Sequence, residues 1–155
     1  MKVLVDTNVV LDLLLDRAPH AEAAAQVFSF IERNVLSGCL CATTLTTVHY
    51  LAAKVVGRQK SLKEIRKLLH LFEVATVNRA VLEAALAAKG FSDFEDAVLY
   101  EAARHTDADA LVTRNKKDFK KAVLPVYEPG ELIGIMMAQQ GAQPADESEQ
   151  SSDAG

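Results

Sequence analysis

The chain opens on a short apolar run, Val3-Leu4-Val5, that breaks at once into polar Asp6-Thr7-Asn8. Val9 to Leu15 is then apolar, with Asp12 as its only charge. This pattern predicts a buried parallel strand whose carboxyl end turns directly into a helix. Past Ala18-Pro19-His20, the residues Ala21, Ala24, Ala25, Phe28, Ile31 and Val35 recur at helical spacing, which predicts a helix ending before Gly38. Leu40 to Thr43 predicts a second short strand. The polar cluster from Thr43 to Thr47 opens a helix through Val48, Leu51, Ala52 and Val55 to Gly57, and a further helix carries Leu62, Ile65, Leu68, Leu69 and Phe72 on one stripe. Phe72 to Thr76 is a weaker strand signal. Ala80 to Lys89 predicts a compact helix closed by Gly90 in the left-handed conformation. Ser92 starts another helix, with a Ser92–Glu95 capping box. Strands at Ala110–Thr113 and Leu124–Tyr127 follow, and Pro129 opens a last helix through Leu132, Ile133 and Ile135.

Strands thus alternate with helices or helix pairs over nearly the whole chain. That predicts an α/β fold with a short parallel sheet in a three-layer α/β/α sandwich. At 155 residues and 50% hydrophobic, one well-buried domain is expected. No run approaches the roughly 18 apolar residues of a membrane span, so a soluble cytoplasmic chain without membrane contact is the expectation. Cys39 and Cys41 are expected on opposite faces of a strand, unable to share an ion or a bridge, and packed as small hydrophobes.

Charge alters this picture at one end only. From Ala138 the chain reads AQQGAQPADESEQSSDAG, with four acids (Asp146, Glu147, Glu149, Asp153) and no Lys or Arg. These account for the whole net charge of −4, leaving residues 1–137 neutral. Such a composition predicts a folded domain over 1–137 and a disordered acidic tail over 138–155.

Three polar stretches stand at strand ends or beside them. The first is Asp6-Thr7-Asn8, where Asp6 or Thr7 caps a helix or Asp6 serves chemistry at the carboxyl edge of the sheet. The second is Ser92-Asp93-Phe94-Glu95-Asp96, in which three acids within four positions repel one another unless a cation neutralises them. Asp93 and Asp96 share a helix face at i and i+3. The third is Arg114-Asn115-Lys116-Lys117-Asp118 after the Ala110–Thr113 strand. Should Asp6 meet Asp93 and Asp96, the set offers the hard oxygen ligands that Mg²⁺ or Mn²⁺ prefers. Two basic segments could serve nucleic acid: Lys54, Arg58, Lys60, Lys63, Arg66 and Lys67 form one, and Arg114, Lys116, Lys117, Lys120 and Lys121 form the other.

Val-Asp-Thr-Asn at 5–8, Asp-Phe-Glu-Asp-Ala at 93–97 and Leu-Val-Thr-Arg-Asn-Lys-Lys-Asp-Phe at 111–119, in that order and spacing, resemble the PIN domain, the metal-dependent ribonuclease domain of VapC-like toxins. The likeness spans roughly residues 1–135 and includes the closing Tyr-Glu-Pro-Gly-Glu-Leu-Ile. It implies that Asp6 and Asp96 bind the metal, with Asp93 as a nearby helper. Asn115 falls where many members carry a fourth acid, so that Asp118 either replaces it or simply follows it. Thr7, Asn8 and Thr113 resemble the polar residues that hold the acids in place. The chain departs from the pattern at Thr47, which stands where many members have a glutamate; there is no acid from Cys39 to Gln59. The departure implies weaker metal affinity and a site limited to one tightly held ion. His49, two residues on, is expected to be a packing residue.

The resemblance implies hydrolysis of RNA phosphodiesters by Mg²⁺ or Mn²⁺, leaving a 5′-phosphate and a 3′-hydroxyl. It further implies the toxin half of a toxin–antitoxin pair, acting as a homodimer and silenced by an antitoxin protein. Arg114, Lys116, Lys117, Lys54 and Arg58 are the expected RNA contacts. Two alternatives stay open. One is a decayed PIN-like module that binds RNA or protein without cutting, which Thr47 favours. The other is a phosphatase or nucleotide-binding domain, which the absence of a glycine-rich loop and of an acid two residues after Asp6 disfavours.

Overall fold

A computed structural model describes residues 1–142. Five parallel strands form one sheet in the order β3-β2-β1-β4-β5. They are β1 (Lys2–Val5), β2 (Ser37–Cys41), β3 (Glu73–Ala75), β4 (Ala110–Val112) and β5 (Val126–Tyr127). Seven helices connect and flank them among the described residues: α1 (Thr7–Leu14), α2 (Ala21–Glu32), α3 (Ala42–Val56), α4 (Arg58–Leu71), α5 (Arg79–Ala87), α6 (Phe94–His105) and α7 (Pro129–Gly141). No described helix is long and apolar enough to cross a membrane.

The three inner strands β1, β2 and β4 are buried on both faces, which gives the sandwich its two cores. Val3 and Val5 pack into one core with Val9, Val27, Phe28 and Leu132. Leu4, pointing the other way, joins Leu111, Val81 and Leu99 in the second. Val3, Leu4 and Val5 are all fully buried. Each such side chain contributes about 1.5–3 kcal/mol through burial. Cys39 and Cys41 both lie in the second core as free thiols. The expectation of opposite faces is therefore corrected: residues two apart on a strand share a face. Their role as packed hydrophobes holds.

Several boundaries differ from the sequence reading for local reasons. Strand β2 ends at Cys41, and α3 begins at Ala42, ahead of the threonine cluster. Gly57, at φ +87, lets α3 turn into α4 with no intervening loop, and His49 Nδ1 bridges the pair to Ser61 Oγ at 2.8 Å. Helix α5 stops at Ala87, and its cap is Ala88 in extended geometry, so Gly90 lies in the following loop and does not close the helix. Asp93, not Ser92, is the N-cap of α6: its Oδ1 accepts from the Glu95 amide at 2.9 Å. Helix α7 continues to Gly141, past the expected boundary at Ala138, and the remainder of the acidic segment, from residue 143, lies outside the described residues.

The topology decides where ligands can gather. β1 is central, its connection to β2 leads one way, and β4 pairs on its other side. The strand order reverses between β1 and β4, and in open parallel sheets the crevice outside the carboxyl ends at that point is the binding position. Helices α1 and α3 start directly after β1 and β2. Helix α6 runs back before β4, so its N-terminus also lies at the carboxyl edge.

Candidate metal-binding active site

Asp6 is the first residue past β1, at the reversal point. It is 9% exposed, and every hydrogen bond of its carboxylate comes from a residue next to the same edge. The Thr7 amide donates to Oδ1 at 2.7 Å. Thr113 Oγ1 donates to Oδ2 at 2.7 Å, and Asn8 Nδ2 reaches Oδ2 at 3.2 Å. Asp6 is thus both the N-cap of α1 and a fixed carboxylate at the sheet's edge, so the two readings of this residue coincide. Thr113 is itself held, since its Oγ1 accepts from the Asn115 amide at 3.0 Å. Asn8 and Thr113 thus hold the Asp6 carboxylate through their side chains, and Thr7 through its backbone amide.

The other acids gather around it. Burial pushes the Asp96 carboxyl up to about 7, aided by Asp6, Asp93, Asp118 and Glu95 in that order. Burial likewise raises the Asp6 carboxyl; the bonds from Thr113 and Thr7 oppose that rise, Asp118 adds to it, and Arg114 lowers it. Glu95 is raised by burial and then by Asp93 and Asp6. The three stretches singled out in the sequence therefore meet, and their carboxylates feel one another. Asp118 sits in a 3₁₀ turn (Lys116–Phe119) anchored by Phe119, which is buried in the second core against Phe91. Asp93 is exposed and caps α6 while adding its charge to Asp96. Glu95 belongs electrostatically to the cluster, although the sequence pattern presented it only as half of a capping box.

Burial first, and then the neighbouring carboxylates, disfavour the charged form of Asp96, and a cation bound there would favour it. The cluster's donors are all hard oxygens, which suits Mg²⁺ or Mn²⁺. Among the described residues, no three His, Cys, Asp or Glu side chains converge into a ready-made cage. Mg²⁺ does not need one, because it is commonly bound through one or two carboxylates while water and substrate phosphate supply the rest. Asp6 and Asp96, with Asp93 and Asp118 nearby, fit an ion of that kind.

Helix α3 meets the site through a residue the sequence reading did not single out. Thr44 is fully buried, and its Oγ1 lies 3.0 Å from Thr7 Oγ1. Thr47 is half-buried one turn further on and makes no side-chain hydrogen bond to these residues among those described. Asp12 was also passed over, as a lone charge in an apolar run. It is 1% exposed and takes Arg114 Nε at 2.5 Å, Arg114 Nη2 at 3.2 Å and Arg17 Nε at 2.9 Å. A lone acid amid six apolar residues was the available signal, since such a residue is buried only with partners.

The expected RNA contacts are unequal. The Arg114 guanidinium is tied to Asp12, and Lys116 Nζ pairs with Glu131 at 3.0 Å. Lys54 sits 4.1 Å from the centroid of the exposed Tyr50 ring and donates to its hydroxyl. Lys117 and Arg58 are exposed and form no ion pair among the described residues.

The model of the PIN domain matches residues 2–117. Ribonuclease VapC1 of Aquifex aeolicus (strain VF5) is 27% identical over 122 residues, covering 76% of this chain and 83% of its own. Among solved structures, a toxin–antitoxin complex from Klebsiella pneumoniae superposes with a TM-score of 0.64 at 25% identity, over 82% of this chain and 97% of the other. VapBC2 from Rickettsia felis, bound to a DNA fragment from its promoter, gives 0.63 at 18% identity over 83% and 98%. With the strand order, the acid cluster at its reversal point and these matches in agreement, the chain belongs to the PIN domain family.

Proposed function

We propose that this protein is a divalent-metal-dependent endoribonuclease and the toxin of a toxin–antitoxin pair. The observation that carries the reading is the coupled acid cluster, in which Asp96 is held near 7 by burial and by four neighbouring carboxylates. Asp6 and Asp96 hold the ion, and Asp93 and Asp118 add negative charge around it. Bound Mg²⁺ or Mn²⁺ supplies an activated water and offsets charge on the attacked phosphate. Thr7, Asn8 and Thr113 fix the Asp6 carboxylate before substrate arrives, so no reorganisation is needed on binding. Lys117, together with Lys54 and Arg58 further out, draws the RNA backbone toward a site that would otherwise repel it. The similarity to a VapC ribonuclease supports the activity, and the toxin–antitoxin complexes among the structural relatives support an antitoxin partner. A homodimer and action in the cytoplasm belong to the same reading.

The Thr47 position favours the rival reading of a non-cleaving binding module. Cleavage of a labelled structured RNA in Mn²⁺, in Mg²⁺ and in EDTA separates the two, with an Asp6→Asn, Asp96→Asn double variant alongside. Metal-dependent cutting that the variant loses supports the nuclease. No cutting by the wild type, with no Mn²⁺ binding by calorimetry, supports the binding module. Equal cutting by both proteins would trace the activity to a contaminant and remove the support for this assignment.

A further inference from the structure

Beside the acids lies a cavity of about 220 Å³ lined by Pro19 and His20 ahead of α2, by Arg114 after β4, and by Glu128 and Pro129 at the start of α7. Holding the metal requires none of its walls. Its polar groups are nonetheless fixed. Asp12 occupies Nε and part of Nη2 of Arg114, leaving the Nη1 edge to donate elsewhere. The exposed Glu128 forms a capping box at the start of α7: its carboxylate accepts from the Glu131 amide, and its own amide donates to Glu131 Oε1 at 3.1 Å. Arg114 pairs with Asp12 and not with Glu128, so a cationic donor and an anionic acceptor face one cavity separately. The His20 ring stands at the N-cap of α2 without capping it, and Pro19 and Pro129 add apolar surface.

Asn8 links the cavity wall to the acids. The Arg114 amide donates to Asn8 Oδ1 at 3.4 Å, and Asn8 Nδ2 donates to Asp6 Oδ2 at 3.2 Å. The cavity therefore adjoins the residues that fix the Asp6 carboxylate. The volume is below the roughly 300–1,000 Å³ of pockets for drug-sized ligands, leaving room for one ring system and not for a base pair.

We propose that this cavity takes one unstacked base of the RNA strand, next to the cut phosphate, with guanine preferred. The proposal rests on the ribonuclease reading for its substrate class. Proteins read RNA sequence mainly on splayed, single-stranded bases. Guanine offers O6 and N7 as acceptors to Arg114 and its N2 amine as a donor to Glu128. Adenine lacks both O6 and the N2 amine, and hypoxanthine lacks the amine alone.

Two measurements test this. The first is the fluorescence anisotropy of short labelled single-stranded oligoribonucleotides in Ca²⁺, alike except for one guanosine, inosine or adenosine. The second is mapping of the ends produced from a random-sequence RNA in Mn²⁺. The guanosine oligonucleotide should bind roughly tenfold tighter than the adenosine one, with inosine between them. Glu128→Gln should shrink the guanosine–inosine gap, and His20→Ala should weaken all three. Guanine should be enriched at one side of the cut for the wild type and less so for Glu128→Gln. Equal affinities, or a preference that Glu128→Gln leaves intact, overturns the proposal. Cleavage without base preference overturns the cavity and leaves the nuclease. Guanine-dependent binding without metal-dependent cleavage overturns the nuclease and leaves the cavity. Neither binding nor cleavage overturns both.

Discussion

Thr113 Oγ1 donates to Asp6 Oδ2 across 2.7 Å although 107 residues separate the two in the chain. Thr113 is fully buried, and this bond joins the residue after β1 to the residue after β4 at the point where the strand order reverses. Replacing Thr113 by Val keeps the shape and removes the donor. A buried acceptor left short of a partner costs about 1–3 kcal/mol, which urea unfolding would register. Metal affinity, read by Mn²⁺ calorimetry, should fall by roughly 10–100-fold, as for other groups that orient a ligand. Thr113→Ser keeps the hydroxyl and should recover most of both. A Val variant with wild-type stability and Mn²⁺ affinity would mean that the bond holds nothing.

Asp12 makes a comparable link from α1. Asp12→Ala leaves two guanidinium groups without their anion and frees Arg114 from the wall of the cavity. Breaking a buried ion pair costs about 3–5 kcal/mol. Arg17 and Arg114 are 40% and 28% exposed, so water takes up part of the loss, and about 2–3 kcal/mol is expected here. For a chain of this length that lowers Tm by roughly 2–4 °C per kcal/mol. Arg114→Leu should cost less, because Arg17 still neutralises Asp12. The opposite order of the two variants in a thermal melt would show that Asp12 is not the organising charge.

Much of the fold and part of the site could be read from residues alone, and the division has physical causes. Val3-Leu4-Val5 gave a strand because β1 is central and buried on both faces, so it appears as an unbroken apolar run. Asp6, Asp96 and Thr113 were legible because they follow or flank such runs. Glu95 was hidden by a rival local explanation, a capping box that α6 does not form since Asp93 caps it instead. Thr44 was hidden by its surroundings: with four threonines in five positions, nothing in the sequence says which hydroxyl faces the residue after β1. Asp12 and the cavity beside Arg114 depend on the approach of α1, α2 and α7 around the β4 loop, which no local pattern encodes.

Gly38 reports on packing beneath the site. A Cβ there would come within 2.7 Å of the Phe72 ring and 2.8 Å of Ile31 Cδ1. Phe72 is fixed edge-on against Phe28 with centroids 5.1 Å apart, so the ring has little room to retreat. Gly38→Ala should therefore destabilise the fold by about 1–3 kcal/mol, the usual cost of overpacking a core. The loss should appear in urea midpoints with Mn²⁺ affinity kept, because β2 contributes no carboxylate to the cluster. A variant as stable as the wild type would mean that the Phe28–Phe72 pair is looser than its geometry implies.

The acid cluster makes the metal-free protein sensitive to pH in a direction opposite to that of a salt-bridged carboxylate. Asp96 titrates near 7 when folded, against 3.8 for its ordinary value. Between those two values the folded chain keeps a proton that the unfolded chain has released. Stability therefore falls as pH rises from about 4 to about 7. Below the window both states are protonated and the contribution vanishes; above it the penalty is complete. Asp6, raised in the same direction, adds to the decline. Asp96→Asn carries no charge to bury or repel, so it should be more stable than the wild type above pH 7 and no different near pH 4. Saturating Mn²⁺ should reverse the order at high pH, since the ion binds the deprotonated wild-type site and stabilises it by mass action. Urea midpoints for both proteins across this range, with and without Mn²⁺, measure each part. A stability difference that stays constant from pH 4 to pH 8 would refute the coupled cluster, and with it the main argument for an ion between Asp6 and Asp96.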